Sequence, residues 1–256
     1  MWQNSAMEKK LISASMKMAD VVHLNYLLLF VLDRFGIKLG FGDKTVNEVC
    51  KEYKVDVGFF IEIANSFLDK DYVPHSDKDT FPAELAIKYL QNTHQYYLEE
   101  KVPEIEGLIH DMVNNCRLDT RNIDILNNFF EVYKQELTDH IKREEDGVFP
   151  YVLRISKAYQ NHQISESLYQ EMKEYNIHDY ANEHDNVEQK LYDLKNIIIK
   201  YLPPVENSLL CHKILIELFN LEKDLNDHAL LEDKLIVPII SEQEKHLLEL
   251  YNAEKT

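Results

Sequence analysis

Residues 139–150 read DHIKREEDGVFP and residues 227–238 read DHALLEDKLIVP, so His140, Glu144 and Pro150 recur as His228, Glu232 and Pro238 at a constant offset of 88. The correspondence runs backwards along both segments. Leu126, Phe130, Tyr133, Leu137, His140 and Glu144 advance in steps of 4, 3, 4, 3 and 4, and Ile214, Leu218, Leu221, Leu225, His228 and Glu232 repeat those steps. This is the spacing of a helical seam that faces partner helices. In both copies the seam is apolar until its last two positions, where it becomes a histidine and then a glutamate. Residues at i and i+4 share one helical face, and burying such a pair is unfavourable unless its charge is compensated. A metal ion meets that need.

Working outward, long patterns of helical period are expected over about residues 84–115, 123–146, 179–200 and 206–235, with a further one inside about 153–175. With 6 glycines and 7 prolines in 256 residues and no convincing strand, they imply an all-α chain whose C-terminal part is a four-helix bundle. The first and third patterns each carry a histidine near the start, His94 and His184, 90 residues apart. In an up-down-up-down bundle these starts lie at the same end as the finishes of the second and fourth. The levels agree: about 24 residues separate His94 from the first turn and about 22 separate that turn from His140, roughly 36 Å and 33 Å at about 1.5 Å per residue.

Four imidazoles and two carboxylates are too many for one ion but suit a pair, and carboxylate-bearing bundle cores are where di-iron and di-manganese sites are built. Zinc more often takes a tetrahedral site with fewer ligands, so iron is the favoured metal. The remaining histidines, at 23, 75, 110, 162, 178, 212 and 246, lack the phasing and read as ordinary core or surface imidazoles. Glu136 and Asp224, each four residues before its histidine, are either outer partners of the imidazoles or solvated helix charges. Glu145 is expected to face away.

Lys plus Arg total 28 against 45 Asp plus Glu, a formal charge of −17 that repels phosphate backbones and anionic lipid, so nucleic acid and membrane are excluded as partners. The longest apolar run, residues 26–32, is far short of the ~20 residues of a bilayer span, and no cleavage site follows it. A cytoplasmic location is expected. Three isolated cysteines, Cys50, Cys116 and Cys211, form neither a disulfide framework nor a thiolate metal site.

Residues 1–15 read as a loose tail, 16–75 as a small helical domain and 76–256 as the bundle. Within the small domain Asn25 caps a helix that ends at Gly36. Thr45 and Glu48 form a capping box, and Asp56 caps a helix to about Lys70, with a turn at 39–43.

At His94, at HIKREEDGVFP from His140, at EHDNVEQKL around His184 and at HALLEDKLIVP from His228, the chain resembles the hemerythrin-like repair-of-iron-centres proteins, bacterial di-iron proteins linked to nitrosative and oxidative stress. The resemblance covers nearly everything from Lys17 onward. It implies a hemerythrin-like bundle carrying two iron ions. His94, His140, His184 and His228 would be terminal ligands, two per iron, and Glu144 and Glu232 would bridge the metals beside an oxo or hydroxo group. It also implies that the N-terminal domain is the family's helical cap. Where the family commonly has a Cys-Cys pair, this chain has Gly40-Phe41, so no vicinal dithiol is available there for redox chemistry or iron hand-over.

Three functions compete. The first is a stress-response protein that supplies iron to damaged iron–sulfur clusters or handles nitric oxide, with iron–sulfur proteins as partners. The second is a module that reversibly binds or senses dioxygen or nitric oxide, and the third an oxidoreductase acting on nitric oxide or peroxide. A homodimer is compatible with each.

Overall fold

The computed structural model describes residues 11–74, 79–115, 120–181, 187–202 and 208–254. No strand forms among them, apart from an isolated antiparallel bridge between Lys17 and Thr45, and no helix is long and apolar enough to cross a membrane. The chain divides into two compact units, Met1–Pro82 and Ala83–Thr256.

The first unit holds α1 (Met18–Leu24), α2 (Leu28–Arg34), α3 (Val46–Glu52) and α4 (Val57–Leu68). The Thr45–Glu48 capping box forms, and the Asp56 side chain accepts from the Phe59 N–H at 2.7 Å. Asn25 does not cap α2 directly. It closes the turn ahead, its Oδ1 accepting from the Leu27 N–H at 3.0 Å. Gly36, at φ +69°, ends α2 in the left-handed conformation that lets the Ile37 N–H reach the Leu32 carbonyl at 2.8 Å. The segment just before α1, expected to be loose, is tied down. The Ile12 backbone and the Asn65 amide exchange two hydrogen bonds, at 2.7 and 3.2 Å, and Ile12 is buried.

The second unit is built on α5 (Ala83–Tyr96), α6 (Val102–Asn115), α7 (Thr120–Arg143), α8 (Phe149–Asn161), α9 (Glu166–Glu174), α10 (Ile177–Ala181), α11 (Val187–Asn196), α12 (Ser208–Leu231) and α13 (Val237–Glu254). The α5/α6, α7/α8 and α12/α13 pairs are each joined by one π-helical turn, at Tyr97–Lys101, Glu144–Val148 and Glu232–Ile236, and another such turn, Ile197–Tyr201, ends α11. The helices expected to stop near 146 and 235 therefore continue to Asn161 and Glu254. The reason is local. A proline ring clashes with the carbonyl four residues back and lacks an N–H. Just ahead of Pro150 and Pro238 the backbone widens, Phe149 N–H reaching Glu144 O and Val237 N–H reaching Glu232 O. Each proline then sits in the first turn of a restarted helix, where no donor is needed.

Below the π-turns, α6, α7, α11 and α12 surround a core of Ile105, Met112, Leu126, Phe130, Tyr133, Leu137, Leu191, Leu194, Ile214, Leu218, Leu221 and Leu225. Both apolar seams read from the sequence face it. An ion pair spans each of the four seams between neighbouring helices: Lys134–Glu106, Lys190–Glu136, Lys195–Glu222 and Lys101–Glu217. Above the π-turns, α8 and α13 pack together with α5, α9 and α10 against them. The level where the seams turn polar is thus mid-bundle, with packed helices on both sides.

Candidate metal centre

Glu144 and Glu232 open the two π-turns that precede the prolines, and His140 and His228 lie one turn before them. His94 stands near the end of α5, three residues ahead of the π-turn at Tyr97. These five side chains meet. His94 Nε2 lies 2.9 Å from Glu144 Oε2 and 3.3 Å from His228 Nε2, while His140 Nε2 lies 3.1 Å from Glu144 Oε1. His228 Nε2 is 3.4 Å from Glu232 Oε1. His94, Glu144, His228 and Glu232 are buried, and His140 is partly exposed. Phe149, delivered by the restart of α8, stacks on the His94 ring at 5.3 Å, and Tyr97 meets the His228 ring edge-on at 6.0 Å. The site therefore has an apolar wall on two sides.

Burial works against charge at Glu144, but contact with His140 and His94 outweighs it and holds the carboxyl well below the usual range. His94 shows the converse: burial pulls it down, yet Glu144 and Glu145 push it up to about 9. His140 is raised as well, the Glu144 contact overcoming burial. His94 hydrogen-bonds Glu145 and lowers that carboxyl too. Burial, followed by the charges of Glu232 and Glu144, raises the Tyr180 phenol well above its ordinary value, so it is held as a proton donor.

The donor set fits a cation. His94 Nδ1 lies 2.9 Å from Glu145 Oε1, and a carboxylate can only accept, so Nδ1 carries the proton. The second proton, which the raised pKa of His94 keeps on the metal-free ring, sits on Nε2, and a metal ion that displaces it meets a lone pair there. That lone pair faces the Glu144 carboxylate oxygen, which lies close to it without hydrogen-bond geometry, and a second imidazole nitrogen. Electron pairs converge in this way when a positive ion belongs between them. Spacing agrees, since two donors ~2.1 Å from one ion and at right angles are ~3.0 Å apart. Among the described residues His94, Glu144 and His228 form a group whose donor atoms all lie within 4.8 Å of one another.

Of the six residues singled out by the repeat, His94, His140, Glu144, His228 and Glu232 come together, and His184 lies outside the described residues. Two contributors escaped the sequence reading. Glu145, expected to face away, reaches His94, because each residue of a π-turn advances through a smaller angle than the 100° that α-helical phasing assumes. Tyr180 on α10 donates to Glu144 Oε1 at 2.6 Å. Its counterpart 90 residues earlier is Leu90, so the repeat that found the histidines carries no trace of it. Of the two suggested outer partners, Glu136 pairs with Lys190 across the helix seam, and Asp224 is buried.

A family model described as the hemerythrin HHE cation binding domain matches residues 97–240, more than half of the chain. The chain is also 21% identical over 195 residues to the iron-sulfur cluster repair protein ScdA of Staphylococcus haemolyticus (strain JCSC1435), covering 76% of this chain and 83% of that protein. That similarity agrees with the repair-of-iron-centres resemblance of its histidine segments. By the extent of the match and by a helical bundle whose seams end in converging histidines and glutamates, the chain belongs to the hemerythrin HHE cation-binding family.

Proposed function

We propose that this protein holds two iron ions, with His94, His140, His184 and His228 as terminal ligands and Glu144 and Glu232 as bridges, and uses them in iron–sulfur cluster repair under nitrosative or oxidative stress. It would do so in the cytoplasm, by supplying iron to damaged clusters or by handling nitric oxide. The observation that carries this reading is Glu144. Its two oxygens face different imidazoles, Oε2 toward His94 and Oε1 toward His140, which is the disposition a carboxylate needs to span two ions. Bound there, iron supplies one-electron chemistry and an open position for a small ligand such as nitric oxide or dioxygen. The protein's own part is to fix the His94 tautomer through Glu145, to hold a phenol proton on Glu144, and to screen the ligands from water with Phe149 and Tyr97.

A direct test loads the protein anaerobically with ferrous iron, exposes it to nitric oxide and to dioxygen, and follows transfer of iron to an apo iron–sulfur protein. Transfer that restores the recipient's cluster absorption is expected; reversible adducts without transfer would defeat the repair role. Glu144→Ala and Glu232→Ala should each bring the iron content well below two per chain by elemental analysis, and unchanged content would remove the bridging assignment.

One observation favours a reversible binding or sensing module as the second reading. The chain has Gly40-Phe41 where the family commonly has paired cysteines, and Cys50, in the same unit, is buried with its thiol pushed up by burial to about 11. Hand-over through vicinal thiols therefore has no support at that turn.

A further inference from the structure

The phenol of Tyr180 stands at the end of a set of ties that begins on another helix. Glu244 on α13 is buried and accepts from Tyr151 Oη on α8 and from the Ile177 N–H, the first residue of α10, at 3.1 Å. His178 Nε2 lies 2.9 Å from Ser241 Oγ, a second link between α10 and α13. Asn176 Oδ1 closes the turn ahead, accepting from the His178 and Asp179 N–H groups at 2.9 and 3.2 Å. These ties to α13 help to fix where Tyr180 stands. They place Oη 2.6 Å from Glu144 Oε1, the oxygen that also faces His140.

We propose that Tyr180 is a positioning residue of the metal site, its phenol O–H holding the Glu144 carboxylate in the orientation that lets its two oxygens address two ions. The proposal rests on Glu144 being a metal ligand. A buried carboxylate on a long side chain has several rotamers, and only a fixed donor selects one of them before metal arrives. His140 cannot be that donor once its Nε2 binds an ion, because the same atom faces Oε1. Tyr180 Oη lies 2.6 Å from Oε1 and can donate to it without using a ring nitrogen that the metal needs. The equivalent position in the first half of the repeat is Leu90, which has no proton to give, so this one hydroxyl, which also faces Glu232, serves both halves of the centre.

Tyr180→Phe removes that oxygen and leaves the ring. With ferrous iron as the probe under anaerobic chelator competition, the wild-type protein should take two ions per chain. The variant, with unchanged helix content by circular dichroism, should bind iron about 10-fold more weakly, the low end of what loss of an outer partner does at metal sites. Equal affinities would overturn the proposal. So would an intense visible tyrosinate charge-transfer band in the ferric wild type that vanishes in the variant, because the phenolate would then be a ligand itself. In the metal-free protein, thermal unfolding of Tyr180→Phe, Glu144→Ala and the double variant should be non-additive, whereas additive losses would sink the link between the two residues. A wild-type content below two ions would instead count against the ligand assignment, and the metal-free cycle separates these failures.

Discussion

At the scale of single residues, what distinguishes this centre from a histidine pair in an ordinary core is the company each ring nitrogen keeps. His94 is held at both ends, Nδ1 by Glu145 and Nε2 among the converging donors. An imidazole whose second nitrogen donates to a carboxylate is fixed in tautomer and made a better ligand, and losing such a partner typically costs about 10- to 100-fold in metal affinity. Glu145→Ala should therefore weaken iron binding by about 10-fold or more without changing the number of ions taken at saturation, because no ligand is removed. Chelator-competition titration reads both quantities. A drop in stoichiometry would make Glu145 a ligand, and an unchanged affinity would make its hydrogen bond incidental.

At the scale of elements, the apolar seams of α7 and α12 could be read from the sequence because a packed helix must place its apolar residues at steps of 3 and 4, and all eight are buried where expected. The convergence of His140, Glu144, His228 and Glu232 follows from the same phase. What the phase could not give is the π-turn, where a hydrogen bond from i to i−5 leaves no periodic trace. Its one mark is the proline six residues after each glutamate, which signals a helix end unless the backbone is free to widen. Tyr180 was illegible for another reason: it depends on α10, whose place is set by Glu244 from far along the chain. That carboxyl is raised above 4.5 by burial, which outweighs its hydrogen bonds from Tyr151 and Ile177, with His178 lowering it and Asp179 raising it. A carboxyl raised in the fold favours the folded state fully below its unfolded pKa, and that contribution is lost as pH rises through the folded value. Glu244→Gln keeps an acceptor for Tyr151 and Ile177 but cannot ionise. Relative to this variant, the wild type should lose stability as pH climbs from about 4.5 through the raised pKa and then level off. Urea unfolding across that range would show it, and a difference that is flat with pH would contradict the buried neutral carboxyl.

At the scale of the whole molecule, 28 basic against 45 acidic residues give a formal charge of −17, and this field acts on the fold and on the metal in opposite senses. Self-repulsion among like charges weakens the compact state, while the same negative potential concentrates cations near the surface and speeds their arrival. Both effects are long-ranged and are screened together. The Debye length shrinks from about 30 Å at 10 mM salt to about 8 Å at 150 mM, so charges that act across the molecule at low salt act only on near neighbours at physiological strength. Of the interhelical ion pairs, Lys134–Glu106 and Lys190–Glu136 are solvent-accessible, contribute about 0 to 1 kcal/mol each and are screened as well, whereas Lys101 and Lys195 are buried and their pairs respond less to salt. Raising salt over that range should therefore increase the melting temperature of the metal-free protein while slowing the initial association of ferrous iron several-fold, with unchanged saturation. Differential scanning calorimetry and stopped-flow mixing follow the two sides. If salt left the association rate untouched while raising the melting temperature, the field would weaken the fold without guiding the ion, and the approach to the buried histidines would be controlled by the opening of the bundle.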